Sequence, residues 1–284
     1  MKERLLIVLC LIFSPFFISA LDRTEYQLPN DLIDIVIPCH EKDQRTLEMV
    51  LLAIKTHIPH GRLIVVSREK FTDNAEWFNE DLYPFSKMDV AREIFKDEGQ
   101  ALQYIKHPLS RIGWIYQQFL KLYAPYVISG ISKNVLIVDA DTIFFRRIDF
   151  LEDDGTPLYS VGSEYISVYF DCIARLIPGL KKVFPDYSGI CHHMLFQKPV
   201  LDDLFAVVES IHRKPLWKAV CHVIDHKELF GSFFSEYELY FNFLFTRSMR
   251  PRLRFLRWEN VPLRSYFGLD KERFDYVSCH EWLG

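Results

Sequence analysis

The chain has 284 residues, 49% of them apolar, 15% aromatic and 25% charged, enough to bury the core of one large domain or two small ones. Its formal charge of −4 is spread without long like-sign runs. That excludes a general nucleic-acid binder, which needs a basic patch to neutralise phosphates.

The N-terminus stands apart. Met1-Lys2-Glu3-Arg4 carries positive charge, Leu5 to Ala20 is almost wholly apolar, and Ile18-Ser19-Ala20 offers small residues before Leu21. Residues 1–20 read as a secretory signal peptide or an uncleaved anchor, short for a membrane span of about 20 residues. Residues 21–284 are then expected to form a single catalytic-sized domain. Cys39, Cys172, Cys191, Cys221 and Cys279 follow at wide spacings with no C-x-x-C pair, which implies neither a zinc site nor a dense disulfide framework. Buried free thiols are the default, and one or two disulfides stay open after export.

Asp31 to Pro38 reads as a first buried strand, and Cys39-His40-Glu41-Lys42-Asp43 as the polar loop after it. Thr46 to His57 has helical apolar spacing, and Leu63 to Ser67 is a second strand. This order is a βαβ unit and predicts a parallel sheet. Phe71 to Lys106 is mixed and polar, with short helices. Ile112 to Ile128 reads as a long amphipathic helix interrupted near Pro125.

That helix feeds the run Val135-Leu136-Ile137-Val138-Asp139-Ala140-Asp141-Thr142. Four apolar, mostly β-branched residues predict a strand buried on both faces. Residues i and i+2 of an extended strand share one side, so Asp139 and Asp141 converge at the C-terminal edge of a sheet, where open α/β sheets place ligands. Two carboxylates there repel unless a cation sits between them. A divalent ion, Mg²⁺ or Mn²⁺, completed by a diphosphate meets that need. The alternative is two solvated aspartates at a turn.

The second half is less regular. Leu158 to Val161, Gly189 to Phe196 and Arg254 to Trp258 read as strands, and Pro199 to Ser210 and Glu236 to Phe245 as helices. Of His192 and His193, adjacent on the expected strand, at most one points into a cleft. Ser235 is a plausible N-cap with Glu238 in capping-box position, whereas Glu236 has no capping duty.

Three segments carry a family resemblance: DIVIPCHEKD at Asp34 to Asp43, GWIYQQFLKL with VLIVDADTIFF at Gly113 to Phe145, and the C-terminal CHEWLG. On these the chain resembles GT-A fold glycosyltransferases, above all family 8 and a related bacterial group. The resemblance implies a GT-A-like doubly wound mixed α/β sheet with the D-x-D metal motif at a strand end. It implies that Asp139 and Asp141 hold a divalent metal on the diphosphate of a nucleotide sugar, and that His280 completes the metal shell. It places nucleotide contacts at His40, Glu41 and Asp43, and donor contacts at Arg111, Trp114, Gln118 and the neighbouring Gln117. It points to His193 as a donor or acceptor contact and to Glu236 as a general base or transition-state stabiliser. Family members carry a lysine for the diphosphate beyond the C-terminal histidine. Lys121, Arg111 and Arg68 are the candidates to replace it.

The expected activity is thus a metal-dependent glycosyltransferase, with a nucleotide-sugar donor, a hexosyl group as the expected cargo, and a glycan, lipid or protein acceptor. The expected place is the secretory pathway, exported or held at a membrane through the N-terminal segment. Two other readings share the scaffold. A sugar-phosphate nucleotidyltransferase would show a Gly-rich basic loop after the first strand, and Pro38-Cys39-His40-Glu41 offers neither glycine nor net positive charge. An exported, non-catalytic carbohydrate-binding protein would lack metal-dependent nucleotide affinity.

Overall fold

The computed structural model of the chain describes residues 21–283, so the expected signal or anchor segment lies outside the described residues. Strand β1 (Asp34–Pro38) leads through a tight 3₁₀ turn into α1 (Gln44–His57) and then β2 (Leu63–Ser67). Next come β3 (Glu76–Asn79), α2 (Lys87–Phe95), α3 (Glu98–Lys106), α4 (Ile112–Val127) and β4 (Asn134–Val138). The second half contributes β5 (Thr142–Phe144), β6 (Leu158–Ser160), α5 (Ser167–Leu176), β7 (His193–Gln197), α6 (Lys198–His212) and α7 (Leu216–Val223). It closes with α8 (Glu236–Arg247), β8 (Arg252–Arg254), β9 (Trp258–Pro262) and β10 (Tyr276–His280).

The main sheet has five strands in the order β3-β2-β1-β4-β7. The first four run parallel and β7 is antiparallel to β4, so the sheet is mixed and doubly wound. Its order reverses between β1 and β4. The crossover from β1 to β2 and the one from β3 to β4 run in opposite directions across the sheet, so right-handed connections put α1 and α4 on opposite faces and β1, β2 and β4 are buried throughout. Asp34 is the one charged residue in these strands. Its carboxylate accepts from the Arg62 N–H at 2.7 Å and the Ser132 N–H at 2.8 Å, tying two loops at the edge opposite the D-x-D run.

A smaller three-stranded sheet, β5-β10-β9, stands beside the C-terminal ends of the main strands, and β6 pairs with β8. Its central strand β10 runs antiparallel to β5 and parallel to β9. Five described cysteines are free and buried. Among the described residues no helix is long and apolar enough to cross a membrane.

Three expectations shift. The strand expected over 189–196 starts only at His193, because His192 takes a left-handed backbone with φ 64° that no strand accommodates. The strand expected over 254–258 is two strands, one ending at Arg254 and one starting at Trp258. Pro125 does not interrupt α4 in mid-course. It lies in the last turn, where it has no N–H to offer the Lys121 carbonyl, and the helix stops at Val127.

Two glycines permit the close approach of loop 188–192 to its neighbours. A Cβ on Gly189 would sit 2.6 Å from Phe241 Cβ and 2.9 Å from the Tyr237 carbonyl, and one on Gly162 would collide with the Ile190 carbonyl. Gly189→Ala and Gly162→Ala should each cost about 1–3 kcal/mol through overpacking. A thermal melt checks this, and an unchanged Tm in both would mean that loop 188–192 yields freely.

Candidate metal and donor site

Backbone hydrogen bonds lace the D-x-D run to two other segments. The Asp139 N–H donates to the His192 carbonyl at 2.9 Å, and the Cys279 N–H donates to the Asp141 carbonyl at 2.8 Å. The turn before β7 and the end of β10 are thereby pinned on either side of the two carboxylates. His192 Nδ1 lies 3.3 Å from Asp139 Oδ2, and His280 Nδ1 lies 2.9 Å from Asp141 Oδ2. The two imidazole rings are 5.2 Å apart between centroids. Ser278 donates its hydroxyl to Asp141 Oδ1 at 3.0 Å, and His280 Nε2 is 3.0 Å from Asn260 Oδ1.

Asp139 also faces the protein interior. Lys121, only 2% exposed, places Nζ 2.6 Å from Asp139 Oδ1 and 2.8 Å from Glu236 Oε1. Tyr237 donates its hydroxyl to the same Asp139 oxygen at 3.0 Å, and the ammonium sits 4.3 Å over the Tyr237 ring. Burial alone would drive Lys121 towards its neutral form, yet the two carboxylates outweigh it and raise its pKa. Burial likewise opposes ionisation of Asp139, but Lys121 and His192 hold it well below the usual carboxylate range. The buried Glu236 carboxyl is pushed up, chiefly by desolvation.

Ligand atoms of Asp139, Asp141 and His192 lie within 4.8 Å of one another. Two carboxylates and an imidazole form an oxygen and nitrogen set suited to a divalent ion such as Mn²⁺ or Mg²⁺. Two further observations fit. His192 Nε2 is buried with no hydrogen-bond partner among the described residues, and Asp43 adds negative charge felt by both aspartates. The residues therefore suit a divalent metal site.

Two hollows flank the cluster. One, of about 260 Å³, opens at the end of β1 against the start of α4, lined by Cys39, His40, Lys87, Arg111, Trp114 and Gln117. The other, of about 320 Å³, holds Asp43, Asp141 and His280. Lys42 borders both. Burial pushes the Cys39 thiol up to about 12, with Asp43 adding to the effect, so no thiolate is available in the cleft. Arg111 lies 5.2 Å over the Trp114 ring and donates to Ser232 Oγ at 3.3 Å.

The fold thus gathers Asp139, Asp141, His280 and Asp43, and sets His40, Arg111 and Trp114 around the adjoining cleft. Four expectations change place. Glu41 and Arg68 are exposed, and neither lines either hollow. Gln118 turns inward, where its Oε1 accepts the Glu236 N–H at 3.3 Å, while Gln117 takes the cleft position. Glu236 does not face the cleft: it is 1% exposed and closed off by Lys121. Ser235 does cap α8 by accepting the Glu238 N–H, but the Glu238 carboxylate turns aside to Ser188 and Asn242.

His193 is the clearest correction. Its ring is 2% exposed, packed within 5.6 Å of Phe144, Phe150 and Tyr276, and burial lowers its pKa to about 3. Of the pair it is His192, in the left-handed turn before β7, that faces Asp139. The His193 ring meets no charged side chain and at most the Cys191 backbone, so His193→Phe should melt near the parent temperature and leave metal affinity unchanged. A fall in metal affinity of tenfold or more would return His193 to the site. Tyr237 and Lys121 in its bridging role are further contributors that sequence spacing alone did not expose.

Comparison with protein-family models gives no match, and comparison with curated protein sequences gives none either. Among solved structures, the chain is similar to the apo form of mouse xyloside xylosyltransferase 1 at 9% identity, over 89% of this chain and 98% of that one, with a TM-score of 0.44. A likeness that distant leaves any functional reading to the residues themselves.

Proposed function

We propose that the chain is a metal-dependent glycosyltransferase of GT-A type, moving a sugar from a nucleotide-sugar donor to an acceptor hydroxyl. One observation carries this reading: Asp139, Asp141 and His192 converge within 4.8 Å at the point where the sheet order reverses. Open α/β sheets bind ligands at such a switch point. Asp139, Asp141 and His192 would hold the ion; His280, expected from the sequence to complete that shell, would instead orient the Asp141 carboxylate from behind, in the manner of outer partners around metal ligands.

When bound, a divalent cation supplies positive charge to a diphosphate leaving group. The chain's own residues do the rest. His40, Arg111 and Trp114 wall the cleft that would take the nucleoside portion, with the Arg111 cation available to phosphate. Lys121 keeps Asp139 ionised and fixed, and Glu236 holds Lys121 in place from below. Export or membrane association through residues 1–20 belongs to the same proposal, with delivery to a compartment that contains nucleotide sugars.

Calorimetric titration with UDP, with and without Mn²⁺, tests the reading. Metal-dependent nucleotide binding is expected, followed by slow donor hydrolysis across a nucleotide-sugar panel. Nucleotide affinity that ignores Mn²⁺, or none at all, would favour a non-catalytic carbohydrate-binding protein on this scaffold.

A further inference from the structure

Beyond the D-x-D cluster, one other hollow has the chemistry of a ligand site. It has a volume of about 350 Å³ and opens between α3 and the segment that follows α7. Small-ligand sites begin at roughly this size, about 300 Å³. Its walls are aromatic. Phe230, 50% exposed, lies 4.7 Å from the His107 ring and 5.7 Å from Tyr104, and Phe95 lies 5.4 Å from His226.

The polar groups between these rings are amides and imidazoles. The exposed carboxamides of Gln100 and Gln103 line it from α3. His107 Nδ1 accepts the Leu109 N–H at 3.1 Å, which leaves its Nε2 as an N–H donor. Neither carboxylate nor ammonium lines the hollow, although a quarter of the chain is charged. Such a lining offers no carboxylate, lysine or arginine as counter-charge to a phosphate or a charged peptide. It suits a neutral molecule with one apolar face and a rim of hydroxyls. A pyranose ring has both, its C–H face stacking on an aromatic side chain and its hydroxyls bonding to amides.

The hollow is also joined to the candidate site. Tyr104, one of its walls, accepts the Arg111 N–H at 3.2 Å and donates to the Leu229 carbonyl at 2.7 Å. Arg111 in turn walls the cleft beside β1. The two hollows are thus neighbours, linked through the hydrogen bond between Arg111 and Tyr104.

We propose that this hollow is a carbohydrate subsite that takes a neutral pyranose ring of an extended acceptor glycan. The identification of that ring as part of an acceptor rests on the glycosyltransferase reading, whereas the sugar site itself does not. Phe230 supplies the stacking face, and Gln100, Gln103 and His107 the hydrogen bonds.

Saturation-transfer NMR on the metal-free protein, with neutral oligosaccharides of glucose, galactose, xylose and N-acetylglucosamine as probes, tests the subsite without donor chemistry. At least one series is expected to bind. Phe230→Ala should weaken it at least tenfold with an unchanged Tm, and Phe230→Trp should retain it. Gln103→Ala should weaken it as well, while Asp141→Asn should leave it intact. Absence of binding across the panel, or binding indifferent to Phe230→Ala, overturns the subsite and leaves the metal-dependent reading standing. Glycan binding without metal-dependent nucleotide affinity has the opposite effect: it keeps the subsite and removes the transferase.

Discussion

Asp141→Asn should raise the metal concentration for half-maximal donor turnover by at least tenfold and lower turnover ~100-fold, the range that changes around a metal produce. The loss should come without unfolding. Asp141 is half-buried, and its partners Ser278 and His280 can bond to a carboxamide as well as to a carboxylate. Its Tm in metal-free buffer should therefore match the parent or exceed it, because one of two repelling charges is gone. Asp139→Asn should lose turnover equally but melt lower. That carboxylate is the counter-charge of a buried ammonium and the acceptor for Tyr237, so its removal weakens the interior as well as the ion site. Turnover near the parent level in either variant would end the metal-site reading. Equal melting temperatures for the two would show instead that Lys121 needs only Glu236.

Lys121→Met should produce the largest loss of stability. The ammonium bridges two carboxylates in the interior, one of them 1% exposed. Removing one partner of a buried pair costs about 3–5 kcal/mol, because the remaining charge stays behind without compensation. A second substitution, Glu236→Gln, should recover much of that loss in the Lys121→Met background while destabilising the parent. Such opposite signs in one double-mutant cycle are the mark of direct coupling. Additive losses would mean that Lys121 and Glu236 act separately. Recovery of stability in the double variant should not bring back activity, because Asp139 would have lost its fixed partner.

The first half of the fold was readable from residue pattern because each element there is long and bounded. Leu63 to Ser67 is uninterrupted apolar sequence ending in a polar residue, and the strand has those limits. Ile112 to Val127 shows its period plainly, and the two aspartates announce themselves by following a buried strand. The second half hid its elements for physical reasons. β5 is three residues long, and β10, Tyr276–His280, mixes aromatic, hydroxyl, thiol and imidazole side chains that give no apolar run. Gly189 to His192 has strand-like composition but is bent by one positive φ, which decides which histidine reaches Asp139. The Lys121 bridge is illegible in the sequence for another reason. It joins residues from α4, α8 and the turn after β4, and no local spacing encodes that meeting.

The position of β10 has a consequence for biosynthesis. β4 and its two aspartates can pair with β1 once roughly half the chain has left the ribosome, since domains begin to fold as they emerge. The strand between β5 and β9 is supplied only by residues 276–280. Until then Asp141 has neither Ser278 nor His280 beside it, and a nascent chain holds two carboxylates whose orientation is unset. A chain cut before residue 276 would therefore lack both partners of Asp141, and the proposed ion site would take its final shape only when the last strand is in place.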